Sequence, residues 1–148
     1  MDLTLLYEEF ENYPLKAKIE GCPCCELDDA EEGLHRTGLK NLNWDDLGLY
    51  IFKAITTFGD EQDFKHFLPR IFELYITEFD DAPYDVGVLF SKLEYAKWRT
   101  WPINEKNIIF QTIHTWLGHL KNKKMSASDD MYQEIVGDMD TYKFNFSV

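Results

Sequence analysis

Long apolar runs are missing from this chain, because charges interrupt every stretch before it reaches the roughly 18 to 20 residues that a bilayer crossing takes. Cysteine is nearly missing too: there are three in 148 residues, all between positions 22 and 25. So few, so close together, they do not make the disulfide framework of a small secreted domain. The first residues, MDLTLLYEEF, carry acids where a secretory leader carries bases. A cytoplasmic location, with no membrane association, is the expectation. Also missing are G-x-x-x-x-G-K-S/T, G-x-G-x-x-G, H-E-x-x-H and G-x-S-x-G, which removes the common nucleotide, metalloprotease and hydrolase signatures.

What is present is apolar and acidic. A hydrophobic content of 45%, with 16% aromatics, is too high for a disordered chain. The length suits one domain spanning 1–148, with an acidic helix within 1–20 and a helix and tail over 125–148. The net charge of −12 is unevenly spread: residues 1–32 hold ten acids against two bases, and residues 92–124 hold seven bases against two acids. An acidic surface disfavours nucleic acid, whose phosphates need neutralising. It suits a protein partner with a basic surface, drawn in by long-range attraction.

The apolar residues recur at helical spacing nearly throughout, so the expected fold is all-α: an irregular bundle or short repeat-like array of five to six helices. Leu3, Leu6, Tyr7, Phe10 and Tyr13 form one stripe, ended by Pro14. A loop with Pro14, Gly21 and Pro23 follows, then a short helix over 29–35. Asn43, with Asp46 three residues on, is a candidate cap for a helix whose inward residues run from Trp44 to Phe58. Asp60 is the next candidate cap, and Pro69, which has no N–H to donate, predicts a break: a short helix to about residue 66, then a second beginning at Pro69. Asp85 is expected to cap a helix reaching Pro102, Asn104 the next, and Ser128 a last short one. TYKFNFSV, 141–148, reads as a docked extended tail.

Three clusters could carry chemistry. Cys22, Cys24 and Cys25 lack the C-x-x-C register of a zinc knuckle, yet Pro23 can bend them together, and His35 could complete a Cys3His zinc site. The competing reading is a proline turn with its thiols packed as small hydrophobes. Asp63 and His66 share a helix face, so the carboxylate could orient the imidazole as in a general base. The competing reading makes Asp60 and Asp63 caps, places His66 in a half-buried slot and pairs Arg70 with an acid. With Lys65, the stretch DEQDFKHFLPR is dense enough in polar residues to be a candidate interaction surface. Trp98 and Trp101 join that list, interleaved with Lys92, Lys97, Arg99, Lys121, Lys123 and Lys124, whose spacing reads as solvated bases around an aromatic core.

CPCC at 22–25, DLGLYIFKAITTFGDEQDFKHFLPRIFEL at 46–74 and KLEYAKWRTWP at 92–102 together resemble a group of uncharacterised bacterial helical proteins. The resemblance covers roughly residues 20–120 and implies a soluble helical bacterial protein. It brings no activity, substrate or cofactor. The leading expectation is therefore a non-enzymatic protein-interaction protein, in concrete form a neutralising immunity or inhibitor protein of a bacterial toxin or defence system. The alternatives are a metal-binding protein using CPCC, or an enzyme centred on Asp63 and His66.

Overall fold

A computed structural model describes residues 1–122 and 126–141, the side chains at 25, 126–131, 140 and 141 excepted. Local chemistry sets its two sharpest helix starts. Asn43 Oδ1 accepts from the Asp46 amide at 3.0 Å while Asp46 Oδ2 accepts from the Asn43 amide at 3.0 Å. This reciprocal cap opens the helix Trp44–Lys53. Asp60 and Asp63 repeat the device, at 3.0 and 2.8 Å, ahead of Glu61–Thr77. Each satisfies two amides that a helix start would otherwise leave bare, and such a cap contributes about 1 kcal/mol. Gly59 precedes the second cap with φ +74°, and a Cβ there would sit 3.0 Å from both Asp63 Oδ2 and Ile19 Cγ2. Only glycine takes that turn without strain.

Seven α-helices are present among the described residues: α1 (Thr4–Phe10), α2 (Asp28–Leu34), α3 (Trp44–Lys53), α4 (Glu61–Thr77), α5 (Gly87–Tyr95), α6 (Ile103–Asn122) and α7 (Ser126–Thr141). The chain is all-α as its periodicity predicts. One contiguous core holds side chains from all seven. α1 packs on α4 and α6, α2 on α3, α3 on α4 and α5, and α7 on α5 and α6. Aromatic edges fill the centre, with Tyr50 against Phe67 and Trp44 against Tyr75, each at 4.8 Å between centroids.

Several helix boundaries depart from expectation: Asn104, the expected cap of α6, is its second residue, and α3 ends at Lys53 although its apolar stripe predicts a run on to Phe58. Pro69 does not break the chain, and α4 runs through it. The lost hydrogen bond and ring clash cost about 3 kcal/mol. Phe64, Phe67, Leu68, Ile71 and Phe72, on both sides of the proline, are all fully buried. Burial of such side chains contributes roughly 1.5–3 kcal/mol each, which outweighs the proline. α5 stops at Tyr95 rather than continuing to Pro102. Lys97 turns left-handed at φ 55°, and the Trp101 indole donates to the Ala96 carbonyl at 2.9 Å, occupying an acceptor at the helix end. α7 begins at Ser126, two residues ahead of the expected Ser128 cap, and runs on to Thr141, so Ser128 lies inside the helix. Residues 142–148 of the expected tail lie outside the described residues.

Candidate functional site

The polar side chains of the 60–70 stretch are gathered by α4 into a clasp over the N-terminal segment. Lys16 Nζ reaches Asp60 Oδ2 at 2.7 Å and Asp63 Oδ1 at 3.5 Å. Lys65, only 5% exposed, sets its ammonium 2.8 Å from Glu105 Oε1 and donates to the Tyr13 hydroxyl at 3.2 Å. The Glu105 contact lies off hydrogen-bond geometry and so acts as charge pairing. The Tyr13 hydroxyl in turn donates to Glu105 Oε2 at 2.6 Å, and the Tyr13 and Trp101 rings stand 4.6 and 4.4 Å from the Lys65 ammonium. Burial alone would lower the Lys65 pKa, but Glu105 and Tyr13 reverse this and hold it above its ordinary value. Arg70 donates to the Leu42 carbonyl at 2.7 Å and pairs with Glu73, which also accepts from the Tyr7 hydroxyl at 2.7 Å.

This geometry corrects the expected Asp63–His66 dyad. Both Asp63 oxygens are turned to the cap and to Lys16, and burial pushes its carboxyl up. The group facing His66 Nδ1 is instead the Tyr13 carbonyl at 2.9 Å, which fixes Nδ1 as the protonated nitrogen of the neutral ring. Burial of the imidazole lowers its pKa. The two side chains share a helix face without sharing a proton.

Trp98 and Trp101 are equally committed. They are 2% and 3% exposed, and their indole N–H groups donate to Glu94 at 3.3 Å and to Ala96. Neither ring is available to a partner, contrary to their listing among interaction candidates. Burial drew them inward: Trp101 packs edge-on to Phe10 at 6.0 Å.

The CPCC segment forms a single 3-10 turn, Pro23–Cys25, latched to the turn after α3 by the Cys22 amide on the Thr57 carbonyl at 2.8 Å. Cys22 is half-buried and Cys24 exposed, while the Cys25 side chain lies outside the described residues. His35 Nε2 is 2.5 Å from Glu31 Oε1. Among the described residues, no three His, Cys, Asp or Glu side chains are close enough to hold a metal ion.

A different place brings together groups that the sequence gives no reason to associate. α3, α5 and α7 border an open cleft of about 540 Å³. Phe52 and Tyr95, 52% and 58% exposed, stand at its sides, and Phe52 stacks on Tyr84 at 5.1 Å. Lys92 lines the cleft at 5% exposure, its ammonium 5.3 Å from the Tyr95 ring centroid. Its expected place is in solvent; α3 and α7 both pack on α5, Lys92 is buried there, and burial lowers its pKa. Asp85 Oδ1 accepts from the Gly87 amide at 3.1 Å and Glu134 Oε1 from the Val86 amide at 3.3 Å. Asp138 stands beside them, raised to about 6 by burial and by the charges of Asp85 and Glu134. No membrane-length apolar helix occurs among the described residues. Comparison with family models, with curated proteins and with solved structures returns no match to this chain.

Proposed function

We propose that this chain is a non-enzymatic protein-interaction protein that docks a partner with a basic surface on the face formed by Phe52, Tyr84, Tyr95, Asp85 and Asp138. The concrete form of the reading is a neutralising immunity or inhibitor protein of a bacterial toxin or defence system. One observation carries it: half-exposed or exposed aromatic rings stand beside carboxylates that have no cationic partner among the described residues. Aromatic anchors rimmed by charge are what tight interfaces concentrate their energy in. Asp80 and Asp81, both exposed on the segment leading into α5, add to the acidic rim. The net charge of −12 favours a basic partner over an acidic one during approach at low salt. The enzyme reading loses its dyad to the clasp, and nothing in the arrangement of Cys22, Cys24 and His35 favours the metal reading.

The test is co-purification from the native host at low ionic strength, comparing the parent chain with Phe52→Ala/Tyr95→Ala. The expected result is a stoichiometric basic protein, released as salt rises and held at least about tenfold more weakly by the variant, a loss of 1.4 kcal/mol or more. Recovery of no stoichiometric partner, or equal retention by the variant, overturns the reading.

A further inference from the structure

Lys92 differs from the other buried charges among the described residues, Asp63, Lys65 and Glu105, by what surrounds it. Burying an ammonium costs several kcal/mol unless an opposite charge accompanies it. An aromatic face returns only a part of that cost. Lys65 has both, a carboxylate and two rings. Lys92 has the Tyr95 ring alone, and among the described residues no carboxylate lies within ion-pair distance of it. The opposite imbalance stands at the first turn of α5. There Asp85, Glu134 and Asp138 converge; Asp85 and Glu134 each use one oxygen on a backbone amide, and among the described residues no lysine or arginine pairs with them. Gly87 permits this convergence, since a Cβ on it would come within 3.0 Å of Asp85 Oδ1 and 3.3 Å of Asp138 Oδ1.

We propose that the cleft recognises a pair of charges on the partner: a basic side chain seated between Asp85 and Asp138, and a carboxylate brought to Lys92. The inference rests on the docking face described above and names what that face reads. Asp85 precedes α5 and Asp138 comes from α7, which packs on α5, so the anionic subsite is positioned against Lys92 by the contact of these two helices. Ser91, which also borders the cleft, offers a hydroxyl beside Lys92. A partner offering only positive charge would leave Lys92 unanswered and repelled. The cleft therefore discriminates between basic proteins as well as attracting them.

Three small probes separate the subsites: ω-aminohexanoate, which carries both charges, hexylamine and hexanoate. Each is titrated into the intact protein at low salt and neutral pH, reading the backbone amide resonances of Gly87, Ser91 and Lys92. The expected result is binding of ω-aminohexanoate at least about tenfold tighter than either single-charge probe, equivalent to 1.4 kcal/mol. Lys92→Met should reduce it to the level of hexylamine, Asp138→Asn to the level of hexanoate, and Lys92→Arg should restore most of the preference. Equal binding of all three probes, or a preference that survives both Lys92→Met and Asp138→Asn, overturns the proposal. Loss of the preference while Phe52- and Tyr95-dependent capture persists removes the charge pair and leaves the docking face standing. Loss of capture with the preference intact overturns the docking reading, and with it the partner protein as source of the pair.

Discussion

Lys65 and Lys92 are each 5% exposed, each stands over an aromatic ring, and each belongs to a helix of the same core. Their surroundings are opposite. Lys65 is closed in by Glu105, the Tyr13 hydroxyl and the more distant Glu61, so its charge holds the N-terminal segment to α4 and α6. Lys92 meets no anion among the described residues and borders a cleft. A buried charge answered inside the chain is architecture. A buried charge left unanswered, at a concave face with exposed aromatics, is the feature on which the proposed docking face rests.

Substitution to methionine should separate the two lysines by sign. Lys65→Met leaves Glu105 buried without its cation and is expected to destabilise by about 3–5 kcal/mol in denaturant unfolding. The double variant Lys65→Met/Glu105→Leu should recover most of that loss, because the uncompensated charge is gone. Lys92→Met removes an unpaired buried charge while keeping the stem's packing, and a gain of about 1 kcal/mol is expected. If both single variants destabilise alike, the contrast drawn here fails.

Asp138 supplies a pH test of similar size. Its folded pKa of about 6 stands above the unfolded 3.8. The stability it contributes is therefore fully present below pH 3.8 and lost as pH rises through about 6. Asp138→Asn should flatten that part of the stability profile and gain about 1 kcal/mol at neutral pH, after allowance for solvent screening. His66 should give the smallest effect and the opposite slope. Its folded pKa lies below 6.5, so the stability of its neutral form is present above pH 6.5 and lost as pH falls. A difference profile between the parent and His66→Gln, a few tenths of a kcal/mol in size, should rise across that window.

The caps at Asn43 and Asp60 were readable because each is settled within four residues, by side-chain oxygens and amides three positions apart. Continuation of α4 through Pro69 was not, since it depends on apolar partners from other helices. The 60–70 stretch was visibly dense in polar groups, but its meaning lay in Tyr13 and Glu105, and the Tyr13–Glu105 hydrogen bond itself spans 92 positions. Trp98 and Trp101 stood among bases, which suggested an outward role until the core claimed both rings. The cleft left the faintest trace. Lys92 is one helical turn beyond Leu89, at the edge of an apolar stripe, where a lysine ordinarily extends its stem and keeps its head in water. Only the placement of α3 and α7 against α5 makes it a buried charge, and only the same placement brings Phe52 and Asp138 to its cleft.

The clasp also sets an order of events during synthesis. α1 leaves the ribosome long before α6, yet α6 supplies much of the surface that α1 packs on, and Tyr13 finds its carboxylate at Glu105. A helix of seven residues is too short to persist alone in water. The first segment can therefore gather on α4 through Tyr7, Tyr13 and Lys16 once α4 has folded, but its docking is complete only when α6 follows. Nascent chains halted before residue 105 should leave Tyr13 and its neighbours open to protease, and chains extended past α6 should close them.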